Sequence, residues 1–362
     1  MLKSLTAGVN RVFGSHEIRP KKLNLALQGG GSHGAFTWGV LDQLLADGRL
    51  SFAGISGTSA GAVNAVMLAD GLARGGPNEA RKRLAQFWRA ASIGGQLPGP
   101  QRAVVDRLLA FLPVEGSPVQ IFVDAMSRFL SPYDLNPLNL NPLKDLIEGM
   151  VDFEAVRACT DLQLFIAATN VHTGRVRIFP REKVTADVVM ASAALPLVFR
   201  AVEIDGESYW DGGYMGNPAI FPLLRANETD DVLVVQINPL LREKTPTSSR
   251  EILQRINEIT FNSSLAAEMR ALEFIERLGE ETRVKRGNGP GEVARVNVHR
   301  ITLGGLGKKL TAGSRLNTDY DFFGLLHRAG RRAARRFLDA HFDDIGVHSS
   351  LDLTAEMAAE RA

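Results

Sequence analysis

Two periods of apolar residues alternate along the first part of the chain. Leu23-Asn24-Leu25-Ala26-Leu27-Gln28 is a short apolar run that reads as a buried strand, and it stops at Gly29-Gly30-Gly31-Ser32-His33-Gly34. Helical spacing follows from Ala35 to about Asp47, where Gly48 ends it. Phe52-Ala53-Gly54-Ile55-Ser56 is a second short strand, and a second helix runs from Ala60 to Leu72, closed by Arg74-Gly75-Gly76-Pro77. Strand, glycine loop, helix, strand, tight turn and helix form the alternation of a parallel sheet covered by helices.

The later pattern is sparser. Between Pro98 and Pro142 helical stretches are broken by five prolines, which suggests an insertion over the loop edge of the sheet, a lid or substrate wall. Leu162 to Ala168 resumes the core, and Ala186 to Ala194 predicts a helix stopped by Pro196. Val202-Glu203-Ile204 and Ser208-Tyr209-Trp210 flank Asp205-Gly206, a hairpin signal, because Asp-Gly suits the positive φ angles of a type I′ turn. Val232 to Ile237 is another buried strand; long helices over about Ser249–Gly279 and Thr318–Phe342 flank a strand near Val296. The expected fold is α/β, with a mainly parallel central sheet covered by helices on both faces, a helical insertion and a helix-rich C-terminal part. Its expected parts are a basic extension over 1–22, a catalytic domain over 23–240 with the insertion at about 98–142, and a helical region over 241–362 packed on that domain.

Composition narrows the function. The chain has 362 residues, with 42 Lys plus Arg against 40 Asp plus Glu, a formal charge of +2. A dedicated nucleic-acid binder carries a pronounced basic excess, so no nucleic-acid partner is expected. Cys159 is the only cysteine, which excludes an intramolecular disulfide and a cysteine-based zinc site. Neither a spanning apolar run nor a signal-peptide pattern is present, so the expected location is cytoplasmic. The near-neutral balance conceals two basic amphipathic segments. One is the 1–22 extension, with Lys3, Arg11, Arg19, Lys21 and Lys22. The other is the helix carrying Arg328, Arg331, Arg332, Arg335 and Arg336. Each reads either as a solvated surface helix or as a peripheral membrane contact.

Gly57-Thr58-Ser59-Ala60-Gly61 matches G-x-S-x-G between a strand and an Ala-rich helix. A serine on such a turn takes a strained backbone conformation that lifts its hydroxyl clear of the sheet, and the helix N-terminus behind it favours developing negative charge. Ser59 is the candidate nucleophile, with Gly57 and Gly61 allowing the tight turn. The run from Gly29 to Gly34 also fits the dinucleotide fingerprint G-x-G-x-x-G, but that fold wants an acid at the end of the second strand, where this chain enters the serine turn. Side-chain-free amides at Gly29, Gly30 and Gly31 beside a nucleophile make better sense as an oxyanion hole. For the base, His33 sits too close to those donors, and the other histidines have no motif around them. Asp211, at a strand end before Gly212-Gly213, is the stronger candidate; burial would raise its pKa towards its task.

With these pieces in place the chain resembles the patatin-like phospholipases over roughly Leu23 to Pro239. Gly29 to Gly34 is similar to the family's glycine-rich loop, Gly57 to Gly61 to its nucleophile elbow, and Asp211-Gly212-Gly213 to its Asp-Gly-Ala/Gly element. Ala191-Ser192-Ala193-Ala194-Leu195-Pro196 resembles a further family stretch. The resemblance implies a Ser59–Asp211 dyad without histidine, no metal or other cofactor, an acyl-enzyme, and hydrolysis of fatty-acyl esters of lipids. Two departures stand out: Gln28 where the family often has an acid, and His33 where it usually has Arg or Lys, which predicts pH-dependent loop order. Two other readings are an esterase, thioesterase or polyester-cleaving hydrolase on the same dyad, and a non-catalytic lipid- or nucleotide-binding module.

Overall fold

The computed structural model describes residues 20–92, 131–224, 228–242, 244–281, 296–310, 314–315 and 317–361. Most of the basic extension and most of the proline-broken insertion lie outside the described residues. β1 (Lys21–Leu27), β2 (Leu50–Gly57), β3 (Gln163–Asn170), β4 (Val176–Pro180), β5 (Val202–Ile204), β6 (Glu207–Asp211), β7 (Asp231–Gln236) and β8 (Asn297–Thr302) form one sheet in the order β5-β6-β3-β2-β1-β7-β8, with β4 paired to β3. The five strands from β3 to β8 are mutually parallel, and β4, β6 and β5 add antiparallel partners at one side. β5 and β6 are the expected hairpin, and both turn residues take positive φ, Asp205 at 54° and Gly206 at 80°.

Helices cover both faces. The described helices are α1 (Gly34–Asp47), α2 (Ala60–Ala90), α3 (Pro132–Leu135), α4 (Pro142–Met150), α5 (Phe153–Ala158), α6 (Ala186–Ala193), α7 (Phe221–Leu224), α8 (Ser249–Glu281), α9 (Gly304–Lys309), α10 (Tyr320–His341) and α11 (Leu353–Arg361). Alternation along the strands assigns the faces. Leu25, Leu27, Leu233 and Val235 join a core with α1, α2, α6 and α10, while Ala26, Val232 and Val234 join a second core with α8 and Leu353 of α11.

Two elements differ from the sequence expectation. The glycine pair after α2's first half kinks the helix at Gly75 and Gly76 without ending it, because Pro77 sits in the first turn of the resumed helix, where its missing N–H costs nothing. Asp70 spans the kink, with Arg74 at 2.9 Å and Arg83 at 3.3 Å. β4 was not expected at all.

α1 and α10 pack backbone to backbone, since a Cβ at Gly39 would overlap the His327 carbonyl and one at Gly330 the Phe36 carbonyl. Beside this contact Asp42 accepts from Arg81 of α2 (2.6 Å), from His327 (3.2 Å) and from Arg331 of α10. Burial alone would raise the Asp42 pKa. The hydrogen bonds from His327, Arg81 and Arg331, with the Arg331 charge, outweigh it and hold the carboxyl well below the usual range. Because folding lowers this pKa, the stabilisation is complete above the unfolded value and is lost as pH falls through the folded one. Asp42→Asn should therefore lower unfolding free energy near neutral pH by about 1–3 kcal/mol in urea titrations. The gap between variant and wild type should narrow as pH is taken below about 4.

Candidate active site

Parallel pairing of β1 with β2 brings two loops out at the same carboxyl edge of the sheet. Beyond β2, Thr58 donates its N–H to Leu27 O (3.2 Å) and its hydroxyl to Gly216 O (2.6 Å). Gly61 lies so close to the Leu27 carbonyl that a Cβ there would overlap it. This clamped turn puts Ser59 at φ 54°, ψ −122°, a strained conformation for a residue with a side chain. The Ser59 N–H is held too: it donates to Ser192 Oγ (2.9 Å), which in turn donates to Ala167 O of β3 (2.6 Å). Ser192 lies in the last turn of α6 and is wholly buried.

The glycine loop is shaped from outside itself. Gln28 is buried and uses its whole amide: Oε1 accepts from Ile237 N and Asn238 N (both 2.8 Å), and Nε2 donates to Asn217 O (3.3 Å) and Asn262 Oδ1 (3.0 Å). An ionised acid here could not donate, so the departure from the family pattern matches its partners. Gly29 donates its N–H to Asn217 Oδ1 (2.6 Å), and its carbonyl accepts from Asn238 Nδ2 (2.7 Å). The expected donor set is narrowed by this: Gly29 N–H is committed, and Gly30 and Gly31 donate to none of the described residues. Gly31, at φ 59°, lies against the Arg315 carbonyl, and Gly34 opens α1 against Ala60.

Asp211 ends β6 opposite Ala168 of β3 and is fully buried. Oδ1 accepts from Gly213 N (2.7 Å), within the turn Gly212–Tyr214, while Oδ2 has no hydrogen bond of good geometry among the described residues. Burial pushes its pKa up to about 7, and the Gly213 N–H, the nearby Ser59 side chain and the Arg315 charge only partly offset it. Gly212 packs on the Ala167 carbonyl and Gly213 on the Phe261 ring of α8. The fold thus brings Ser59, Asp211 and the glycine loop together.

Several of the described histidines are engaged elsewhere. His33 meets Ser314 Oγ (2.7 Å); burial, then the Arg315 charge, push its pKa down to about 3. It therefore stays neutral near pH 7. His299 lies between Asp231 (3.0 Å) and Ser350 (2.9 Å), and His341 meets Asp344 (2.8 Å). Among the described residues no histidine hydrogen-bonds to Ser59 or Asp211. Ser192 lay in a stretch already conspicuous in the sequence, whereas Asn217, Asn238, Asn262 and Arg315 are isolated polar residues with no local pattern.

Fold and site define an α/β protein with a strained serine at the carboxyl edge of its sheet, beside a buried carboxylate. The chain belongs to the patatin-like phospholipase family, whose model matches residues 25–224. Among solved structures it is similar to VipD from Legionella pneumophila, at 16% identity over 89% of this chain and 67% of that one, with a TM-score of 0.40. It is also similar to the type III effector ExoU, at 15% identity over 89% of this chain and 53% of that one, with a TM-score of 0.38. The chain thus spans about half the length of ExoU. No curated protein matches it.

Ser192→Ala removes the acceptor of a buried N–H. It should cost about 1–3 kcal/mol of stability. Unchanged unfolding would show that this bond does not hold the elbow.

Proposed function

We propose that the protein is a serine lipid acyl hydrolase that cleaves fatty-acyl esters with Ser59 as nucleophile and Asp211 as base. The observation that carries this reading is the wholly buried Asp211, its pKa raised to about 7, beside a serine at φ 54°. A carboxylate with an ordinary pKa is a poor base for a hydroxyl; one raised towards neutrality is a better match while still ionised in useful amount.

In the proposed cycle Asp211 takes the Ser59 proton as Oγ bonds to the ester carbonyl carbon. The carbonyl oxygen becomes an oxyanion held by the Gly30 and Gly31 amides, next to the N-terminus of α2. Collapse breaks the bond to the alcohol oxygen, which leaves with the proton returned from Asp211. Water then gives a proton to Asp211 and attacks the acyl-enzyme; release of the fatty acid restores the Ser59 hydroxyl. One amide of this kind is worth roughly 3–4 kcal/mol in the transition state. No step uses a metal or cofactor.

Ser59→Ala and Asp211→Asn should each reduce ester hydrolysis by about 10⁴-fold or more while the chain still folds. In the wild type kcat/KM should rise with pH through a limb centred at about 7, because only ionised Asp211 accepts the proton. Substantial activity in Asp211→Asn, or a limb near the ordinary carboxylate pKa, would remove Asp211 from the role. Profiling acyl-chain length on p-nitrophenyl esters, acyl-CoA and phospholipid vesicles separates a lipid hydrolase from an esterase or thioesterase.

No helix among the described residues is long and apolar enough to cross a membrane. We infer a peripheral contact with anionic lipid through α10, whose Arg328, Arg332, Arg335 and Arg336 are exposed; Arg331 is taken by Asp42. Replacing those four by Gln should weaken binding to anionic vesicles at low salt. Unchanged binding would dismiss the contact.

A further inference from the structure

Beside the glycine loop lies a cation that the ester chemistry leaves unused. Arg315, in the turn before α10, donates from Nη2 to Asn238 Oδ1 (2.8 Å), the side chain that also holds the Gly29 carbonyl. Its guanidinium carbon is 5.8 Å from the centroid of the Phe261 ring, and its own carbonyl packs on Gly31. The Nε–H is buried and meets no acceptor among the described residues. Among the described residues Arg315 forms no ion pair.

The surrounding charges do not cancel it. Glu258 is within electrostatic reach, but its oxygens are held by Arg242 (2.6 Å) and Arg255 (3.3 Å). His33 is neutral, with its pKa near 3. Asp211 feels the Arg315 charge, yet burial keeps that carboxyl only partly ionised near neutral pH. Burial also lowers the Arg315 pKa from its ordinary value, so the site disfavours a lone cation. A half-buried guanidinium whose Nε–H is shut off from solvent is costly unless an anion completes it. The planar fork suits phosphate oxygens.

We propose that Arg315 is a specificity-determining residue that receives a negatively charged phosphate on the alcohol side of the ester substrate, beside the oxyanion loop. The substrate half of this inference rests on the proposed acyl-ester hydrolysis; the anion site rests on the surroundings of Arg315 alone. Arg315 lies outside the family-matched residues 25–224, so the motifs do not supply it.

Two measurements test it, each on wild type, R315Q and R315K. The first compares kcat/KM for monomeric dihexanoyl phosphatidylcholine and for p-nitrophenyl hexanoate. R315Q should lose about 10–100-fold on the phosphate-bearing ester and less than about threefold on the neutral one, with R315K recovering part of the loss. Equal losses on both esters would make Arg315 a prop for the loop or a tuner of Asp211, and overturn the proposal; so would no loss on either. The second measures binding of hexyl phosphate, which has no acyl ester, by calorimetry, with inorganic phosphate as the comparison. Wild type should bind hexyl phosphate at least about tenfold more tightly than R315Q. Equal binding overturns the anion site, and inorganic phosphate binding as tightly as hexyl phosphate overturns a lipid source for the anion. If Ser59 resists fluorophosphonate while binding still depends on Arg315, the hydrolase reading fails and the anion site stands.

Discussion

The site depends on two stretches of main chain being pressed together. The end of β1, from Leu27 to Gly29, lies against the turn from Thr58 to Gly61, with Thr58 N–H on Leu27 O and no room for a Cβ on Gly61. Adjacent parallel strands deliver their loops to one edge, but only small residues let them come this close. That closeness forces the backbone of Ser59 out of the usual regions and presses Gly29 of the glycine loop against it. The N-termini of α1 and α2 follow directly, so the helix dipoles and the hydroxyl share one small volume. Strain at one residue is held by the rest of the sheet.

Two aspartates show how the same side chain serves opposite ends. Asp42 and Asp211 are both buried. Asp42 has donors on three sides from α2 and α10, so burial is overcome and it stays charged, tying helices together. Asp211 has one backbone N–H at 2.7 Å and, among the described residues, an oxygen without a good partner, so burial wins and its pKa rises to about 7. A saturated carboxylate is a structural tie; an unsaturated one keeps a lone pair available for a proton.

Local patterns in the sequence carried the strands and helices that flank the elbow, the Asp205-Gly206 hairpin and the three glycine-containing motifs, because period and turn chemistry act over a few residues. β4 escaped because Val176–Pro180 buries little besides Phe179 and ends in proline. The break at Gly75–Gly76 looked like a stop because the helix resumes beyond Pro77, where Arg83 reaches back across the kink to Asp70, a contact no local pattern shows. Ser192 was visible as a residue but not as an acceptor for Ser59 N–H, since that bond crosses from α6 to the elbow. Asn217, Asn238, Asn262 and Arg315 meet only through the sheet order, which places β7 beside β1 and carries α8 across the loop.

Gln28 has a consequence for biosynthesis. Ser59, Asp211 and the glycine motifs are all present once the chain has been made as far as Gly213. The loop that shapes them is tied to Asn238 and to Asn262. A ribosome-bound chain holding every motif therefore lacks the side chains that fix the geometry. The contact from Gln28 to Asn262 can form only after α8 has been synthesised, so the order of synthesis separates possession of the motifs from the geometry around them.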